Sequence, residues 1–147
     1  MTTFKVSQKL DIDYIISMMG QFYAIDEYPF DVELAKSMLH TFIDDQTLGK
    51  LWLIYSDGEL AGYVILTYVF SFEYGGKIAF VDELFILPTF RSRGIGRDTM
   101  TFIKQQADKL LLKLLYLEVE PHNTTAQKFY IAANFEPHNR NLMRYKL

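Results

Sequence analysis

The sequence of 147 residues contains no cysteine and only three histidines, which show no metal-ligand spacing. Without thiols there is no disulfide framework, no thiolate metal site and no cysteine nucleophile, so we expect no metal cofactor and a reducing cytoplasm as the compartment. The first residues lack a hydrophobic signal core, and the longest nearly apolar run, from Leu60 to Phe70, is too short to cross a bilayer. We therefore expect a soluble protein with no membrane partner.

The composition predicts one domain over residues 1–147. Hydrophobic residues make up 50% of the chain, and 12 phenylalanines, 10 tyrosines and one tryptophan supply bulky side chains for a core. Residues 1–90 carry 5 basic and 13 acidic side chains, whereas residues 91–147 carry 10 basic and 5 acidic side chains. A chain that is acidic overall and has no long basic run is not expected to bind nucleic acid. The excess of basic side chains in residues 91–147 is suited instead to binding a small polyanion.

Apolar residues at three- and four-residue spacing predict two amphipathic helices in the first third of the chain. The first helix follows a short strand around Phe4, is capped by Asp11 and ends near Tyr23. The second follows a cap at Asp31 and ends near Ile43.

Strand-like segments then predict an antiparallel meander. Residues 51–55 and 60–70 are joined at Asp57-Gly58, a strong hairpin signal, and residues 78–87 form a third strand after Gly75-Gly76.

The last third predicts a strand-helix-strand unit of the kind that places two parallel strands side by side. A helix with its apolar face over residues 100–110 precedes a strand over 114–119, and a further helix runs from Asn123 to about Ala133. We expect residues 135–147 to form a strand and tail. Together these segments predict a mixed α/β layer fold.

The segment from Phe85 to Arg97 carries the most informative chemistry. A strand ends at Pro88, a loop with two glycines and three arginines follows, and a helix then begins. N–H groups at a helix N-terminus converge on anions, Gly94 and Gly96 permit close backbone approach, and the arginines add positive charge. The loop chemistry alone leaves two interpretations open, a phosphate site and an ordinary loop with solvated arginines.

Two well-known phosphate loops do not fit, because the segment has no P-loop G-K-[ST] ending and has Thr99 where a dinucleotide fingerprint needs glycine. The order Arg91-x-x-Gly94-x-Gly96 instead resembles the R/Q-x-x-G-x-G/A signature of the GNAT superfamily of acyl-CoA-dependent N-acetyltransferases. The stretch 117–123, and the residues Ala126, Phe129, Tyr130 and Phe135 after it, resemble the later strand and helix of that family. The resemblance covers essentially the whole chain and departs from the family at Asn134, where glycine is usual.

The resemblance implies a mixed α/β (α+β) GNAT-like fold, with a largely antiparallel central sheet, helices on both faces and a parallel, splayed strand pair at the acetyl-CoA site. It implies that the pantetheine arm of acetyl-CoA lies in the gap between those strands and that the pyrophosphate lies on the loop. The implied cofactor-binding residues are Phe85, Ile86, Leu87, Arg91, Ser92, Arg93, Gly94, Ile95, Gly96, Arg97, Asn123, Ala126 and Tyr130.

Tyr130 is placed by the resemblance as the acid that protonates the departing CoA thiolate. Asn123, Ala126 and Tyr130 fall at i, i+3 and i+7, so one helix face can present all three to the gap. The alternatives are a core aromatic at Tyr130 and a helix cap at Asn123.

A base must take a proton from the acceptor ammonium, because an amine of pKa about 10 is mostly protonated at neutral pH. The candidates are Asp82, Glu83, Glu118 and Glu120. Strand alternation predicts that Asp82 and Glu83 lie on opposite faces, so that only one of them faces the substrate. The choice among the four stays open, and each has the alternative of an exposed or hydrogen-bonded carboxylate.

The connection between the first two helices interleaves aromatic and acidic side chains, a composition suited to a cationic amine. The candidate acceptor-binding residues are Phe22, Tyr23, Asp26, Glu27, Tyr28 and Phe30. The alternative is a plain helix-helix connection with buried aromatics and solvated acids.

The sequence thus predicts an N-acetyltransferase that moves an acetyl group from acetyl-CoA to a primary amine of a small molecule or peptide by direct attack. The alternative is a non-catalytic acyl-CoA-binding or sensing module. The expected partners are acetyl-CoA and an amine acceptor, with a cationic acceptor preferred, and the sequence is compatible with a homodimer.

Overall fold

The computed structural model describes all residues, 1–147, as one five-stranded sheet with helices on both faces. The strands are β1 (Thr2–Val6), β2 (Gly49–Ser56), β3 (Glu59–Ser71), β4 (Gly76–Ile86) and β5 (Leu115–Tyr116). The helices are α1 (Ile12–Ile25), α2 (Val32–Asp44), α3 (Ile95–Lys109) and α4 (Thr124–Ala132). The strands lie in chain order, and only β5 pairs in parallel, with β4. The predicted fold class is confirmed.

Side chains that alternate along the strands build a separate core on each face of the sheet. Leu53, Tyr63 and Phe85 pack against α1 and α2. Trp52 and Val64 point the other way and pack with residues of α3. Each fully buried aliphatic side chain contributes about 1.5–3 kcal/mol to stability, so the two cores fix the strands that carry the site.

The two N-terminal helices begin in different ways. Asp31 caps α2 as predicted, because its carboxylate accepts a hydrogen bond from the Leu34 N–H at 3.0 Å. The predicted cap of α1 by Asp11 is wrong. The buried Asp11 carboxylate accepts from the preceding Gln8 N–H at 2.8 Å, in a short 3-10 turn, and makes no capping bond to α1.

A β-bulge in the β3–β4 pair changes the orientation of the two central carboxylates. Ile65 pairs with Glu83 and Leu66 pairs with Val81, so Asp82 is an extra residue without a partner on β3. The extra residue resets the alternation, and Asp82 and Glu83 then line the same pocket. The prediction that they lie on opposite faces is therefore wrong.

The parallel strand is much shorter than predicted. Only Leu115 and Tyr116 pair with β4, opposite Ala79 and Phe80, although the prediction extended the strand over residues 114–119. Beyond Tyr116 the chain pairs with no strand, so a gap opens between the end of β4 and the segment that leads to α4. The predicted gap and the unexpected shortness of β5 have the same cause, since diverging strands cannot share hydrogen bonds.

The predicted final strand does not form. Residues 136–147 make no backbone hydrogen bond, and a strand exists only where a neighbour pairs with it. Arg140 is held by a bidentate ion pair with Glu73 of the β3–β4 turn, at 2.6 and 2.7 Å. After this contact the chain is exposed, with 90% of Met143 and 89% of Tyr145 accessible.

None of the helices combines the length and apolar character needed to cross a membrane.

Candidate active site

The loop between β4 and α3 presents unpaired backbone donors. Ser92 and Gly94 have positive φ angles of 61° and 81°, and Gly94 immediately precedes the helix. The first N–H groups of α3, those of Ile95, Gly96 and Arg97, have no acceptor in the protein. These donors converge at the positive end of the helix dipole, which is the geometry that binds a phosphate group.

Three arginines surround this helix start, and none of them forms an ion pair. The Arg91 Nε donates to the Ile86 carbonyl at 3.0 Å, and the Arg93 guanidinium lies 5.2 Å from the centre of the Phe90 ring. Arg97 follows in the first turn of α3. The loop therefore combines three free positive charges with three free N–H groups, which suits a diphosphate.

Gly96 lies inside α3 rather than in the loop, and its missing side chain makes room for α4. A Cβ at this position would lie 3.1 Å from the Phe129 ring. The sequence interpretation of Gly96 concerned the approach of a ligand, whereas the structure shows that it allows α4 to pack on the first turn of α3.

The end of β4 offers backbone groups to the gap. The Leu87 N–H donates to the Ala61 carbonyl of β3 at 2.8 Å. Because N–H and C=O groups alternate in direction along an antiparallel strand, those of Ile86 face away from β3. Of the predicted stretch 85–87, Ile86 therefore faces the gap, while the side chain of Phe85 is buried in the core.

The start of α4 confirms the helix-cap interpretation of Asn123, whose side-chain oxygen accepts from the Ala126 N–H at 3.0 Å. Tyr130 lies two turns later and packs between the rings of Phe129 and Phe135. Burial raises the pKa of the Tyr130 hydroxyl. A neutral phenol at physiological pH can donate a proton or a hydrogen bond, as the predicted acid requires.

An acidic pocket of about 240 Å³ lies on the α1/α2 face of the sheet. We define it by its lining residues, which are Phe22, Tyr23, Asp26, Tyr28, Asp82 and Glu83. The end of α1 and the connection after it supply four of them, and the bulge of β4 supplies the two carboxylates. Four of the six predicted acceptor-binding residues and two of the predicted bases are thus brought together.

Glu83 is buried and held by two phenols. The Tyr23 hydroxyl donates to Oε1 at 2.6 Å and the Tyr63 hydroxyl donates to Oε2 at 2.7 Å. Burial raises the pKa of Glu83, the two hydrogen bonds act in the opposite direction, and the charge of Asp82 raises it further. Burial and the Glu83 charge also raise the pKa values of Tyr23 and Tyr63, so both phenols stay protonated as donors.

Asp82 lies beside Glu83 but is exposed to solvent. Desolvation by the pocket raises the pKa of its carboxyl. The acidic pocket therefore holds two adjacent carboxylates of differing exposure, both stronger bases than a free carboxylate.

Two side-chain contacts connect lining residues of the acidic pocket to the segment before α4. The Tyr28 hydroxyl donates to the Glu120 carboxylate, and the His122 Nε2 lies 3.5 Å from the Asp26 Oδ1. These contacts join the connection between α1 and α2 to the segment before α4. Glu120 is therefore engaged by Tyr28 and does not line the acidic pocket, which leaves Asp82 and Glu83 as the base candidates that do.

Besides Glu120, three of the predicted acceptor-binding residues and bases do not line the acidic pocket. Glu27 has a φ of 55° in the turn after α1 and is exposed, and Phe30 packs edge-on against Tyr23 at 5.3 Å. Glu118 lines a different and larger cavity, beside β5, which it shares with Tyr130.

Tyr63 is the functional residue that the sequence analysis missed. It is fully buried within an otherwise aliphatic part of β3, and the sequence analysis assigned it no role. The available signal was its hydroxyl, because a buried phenol needs a hydrogen-bond partner.

Comparison with known proteins identifies the family. Residues 17–135 match the family model described as "Acetyltransferase (GNAT) family". An uncharacterized N-acetyltransferase of Bacillus subtilis, YhfO, is 24% identical over 126 residues, which cover 86% of this chain and 84% of the relative.

Solved structures show the same fold. An integron cassette protein from the mobile metagenome of Cole Harbour Salt Marsh has a TM-score of 0.88 and 28% identity, over 98% of this chain and 90% of its own. The aminoglycoside N-acetyltransferase AAC(6')-Iy, in complex with the bisubstrate analogue CoA-S-monomethyl-acetylneamine, has a TM-score of 0.84 and 16% identity, over 100% of this chain and 99% of its own. The non-catalytic alternative finds no support among these proteins. The chain therefore belongs to the GNAT family of acetyltransferases, and it is an acetyl-CoA-dependent N-acetyltransferase.

Proposed function

We propose that this acetyltransferase acts on a primary amine of a small, cationic acceptor that binds in the acidic pocket. The observation that carries the proposal is the grouping of Asp26, Asp82 and Glu83 around one cavity. Neither Asp82 nor Glu83 has a basic partner, so a cationic ligand supplies the missing positive charge. Phenol and phenyl rings on the same walls add favourable cation–π contacts for an ammonium group.

Acetyl-CoA is assigned to the basic side of the gap. Its pyrophosphate lies on residues 92–97, where the free N–H groups and the arginines support the assignment. Its pantetheine arm runs past the unpaired N–H of Ile86, whose carbonyl is engaged by Arg91, with Asn123 and Ala126 on the facing helix. The Ile86 N–H is then available to polarise the thioester carbonyl.

In the proposed mechanism Glu83 takes the proton from the acceptor ammonium, and Asp82 holds the acceptor by its charge. The free amine attacks the thioester carbonyl, a C–N bond forms and the C–S bond breaks, and the nitrogen loses its second proton to solvent. Tyr130 donates its proton to the departing CoA thiolate and regains a proton from solvent, so that the net reaction releases one proton. The raised pKa of Glu83 supports this role, because a stronger base removes a proton from an amine more readily.

The acceptor class is tested by measuring thiol release from acetyl-CoA over a panel of diamines, polyamines, aminoglycosides, amino-acid amides and peptide N-termini. Each cationic compound is paired with an analogue of similar size in which the second amine is replaced by a hydroxyl group. We expect the cationic member of each pair to have the higher kcat/KM. A best acceptor that is neutral or anionic apart from the reacting amine would contradict the proposal.

We further propose that residues 1–147 act as a single N-acetyltransferase domain in the cytoplasm. The family match over residues 17–135 and the absence of cysteine support this assignment. Cell fractionation with an antibody against the protein tests the compartment.

A further inference from the structure

Helix α4, which carries the proposed acid, is short and contributes no fully buried side chain. It spans nine residues, Thr124–Ala132. A helix of this length is marginal by itself, because most helical stability in proteins comes from packing. An acid must nevertheless be held to within about 0.5 Å of its working position. The contacts at the C-terminal end of α4, where Tyr130 lies, therefore decide how well the acid is placed.

That end of α4 is closed by a Schellman motif. Asn134 adopts the left-handed conformation with a φ of 65°, and its N–H donates to the Ile131 carbonyl at 2.9 Å. The Phe135 N–H donates to the Tyr130 carbonyl at 3.0 Å, and the rings of these two residues pack with their centres 6.0 Å apart. Asparagine thus fulfils the role of the glycine that the family resemblance predicts at this position, since it tolerates a positive φ. The motif ties both the backbone and the ring of Tyr130 to the residue that follows the cap.

The motif leaves the Ala133 carbonyl without a partner in α4, and Lys104 of α3 supplies one. The Lys104 ammonium donates to this carbonyl and lies 5.8 Å from the centre of the Phe135 ring. Lys104 is partly buried and forms no ion pair with a carboxylate. Its charge is therefore directed at the C-terminal end of α4, where the helix dipole is negative.

Lys104 also links α4 to the helix that is assigned to CoA. Helix α3 begins at the phosphate loop, and the Phe129 ring of α4 packs at Gly96 in its first turn. Lys104 attaches the end of α4 further along the same helix. One contact fixes a point on a short helix, and a second contact fixes its direction. The two contacts together therefore hold α4 in a defined orientation on α3.

The hydroxyl group of Tyr130 depends on this orientation. It makes no hydrogen bond within the protein, unlike the hydroxyls of five other tyrosines, so backbone and ring packing alone set its position. A misplacement on the order of 1 Å at a reacting group can reduce a rate by about 100-fold. A residue that fixes α4 therefore affects the efficiency of proton transfer without touching the substrate.

We propose that Lys104 is a positioning residue for the acid Tyr130. By holding the C-terminal end of α4 against α3, it keeps the phenol directed at the sulfur of a CoA molecule bound at the start of α3. Lys104 does not act on the reacting atoms, because its ammonium is engaged by the Ala133 carbonyl. The inference rests on the role of Tyr130 as the acid in the proposed function.

Steady-state kinetics of Lys104→Met test the proposal, since methionine keeps much of the side-chain length and loses the donor and the charge. We expect kcat to fall by roughly 3- to 10-fold, no more than in Tyr130→Phe, while both KM values stay within about twofold. The matched control is Lys109→Met, which removes the same charge from the exposed last turn of α3 and should keep the wild-type kcat. Circular dichroism verifies folding, and Lys104→Gln, which is shorter and uncharged, replaces the methionine variant should that one fail to fold. A wild-type kcat in the Lys104 variant overturns the proposal and leaves the role of Tyr130 intact.

A double-mutant cycle shows whether Lys104 acts through Tyr130. If it does, Lys104→Met should change kcat by less than about twofold in the Tyr130→Phe background, because the proton donor that it positions is already gone. Losses that multiply in the double variant would show an independent effect of Lys104 and overturn the proposal. A wild-type kcat in Tyr130→Phe alone would instead remove the acid from the mechanism, and the positioning role with it.

Discussion

At the scale of single residues, the hydrogen bonds to Glu83 set the strength of the proposed base. Burial raises its pKa and the two phenol donors partly offset that effect, because hydrogen bonds to a carboxylate favour its charged form. The base works only when it is deprotonated. Removing one donor while keeping the ring must therefore raise the pKa of Glu83 further and reduce the active fraction at a given pH.

The variant Tyr63→Phe makes this change, and we expect the ascending limb of the kcat/KM profile to move to higher pH. The lost hydrogen bond should also cost about 1 kcal/mol in the free energy of unfolding. Tyr55→Phe is the control, since Tyr55 packs against the same core and its hydroxyl makes no hydrogen bond. A profile that is unchanged in Tyr63→Phe would remove Glu83 from the role of base.

Tyr130→Phe tests the proposed acid at the same scale. The ring and its packing between Phe129 and Phe135 remain, and only the proton donor is lost. A thiol of pKa about 8.5 is a tolerable leaving group near neutral pH, so kcat should fall by roughly 10- to 100-fold, at the low end of general-acid effects. The KM for acetyl-CoA should change little. A rise confined to KM would instead mark Tyr130 as a binding residue.

At the scale of elements, the turn into α3 determines whether the phosphate loop can form. Gly94 has a φ of 81°, and the nearest atom to an added Cβ would be the end of the Arg97 side chain at 3.5 Å. A larger residue at this position therefore has room, and its cost in stability comes from backbone strain. A side chain in the left-handed conformation costs roughly 1–2 kcal/mol. A loop that relieves this strain no longer aligns its N–H groups.

We expect Gly94→Val to weaken CoA binding at least tenfold in calorimetry, which corresponds to about 1.4 kcal/mol. Gly58→Val is a matched control, because Gly58 lies in the β2–β3 turn with a φ of 86° and open space around it. Gly58→Val should lose similar stability and keep its CoA affinity. If the two variants bound CoA with equal affinity, the assignment of CoA to the loop would be wrong.

The elements differ in how well the sequence predicted them. Helices α1 to α4 and the meander are visible in the sequence because each buries a periodic apolar face, and periodicity is a local property. The loop was equally visible, since glycines and arginines at a helix start have a local chemical meaning. The bulge at Asp82 was not visible in the sequence, because it depends on the register between β3 and β4. Simple strand alternation therefore predicted, wrongly, that Asp82 and Glu83 lie on opposite faces of the sheet.

The same reason explains the errors at the end of the chain. The stretch 114–119 and the stretch 135–147 have strand-like composition, but pairing requires a neighbour that the sequence does not name. The link between Tyr63 and Glu83 was also invisible, since it joins residues of two strands through their side chains.

At the scale of the whole molecule, the uneven charge of the chain separates the two binding functions. The acidic pocket belongs to the first 90 residues and the arginine loop to the remainder. We expect the KM of a cationic acceptor to rise with salt, because exposed charges are screened over about 10 Å at 0.1 M ionic strength.

Asp26→Asn should raise the acceptor KM at low salt and flatten its salt dependence, and it should leave the KM for acetyl-CoA unchanged. The control variant Glu59→Gln removes a negative charge from the exposed start of β3, away from the pocket. Its acceptor KM should depend on salt as steeply as that of the wild type. A steep salt dependence retained in Asp26→Asn would exclude Asp26 from acceptor binding.

The contact between Gly96 and Phe129 links two positions that are far apart in the chain. A Cβ at residue 96 would meet the Phe129 ring at 3.1 Å, so the size of one side chain limits the size of the other. Among homologues the two positions should therefore vary together, with a larger residue at 96 accompanied by a smaller one at 129. A larger residue at position 96 is destabilising while Phe129 is present and becomes tolerable once position 129 is smaller. This one contact therefore constrains the order in which the two substitutions can arise.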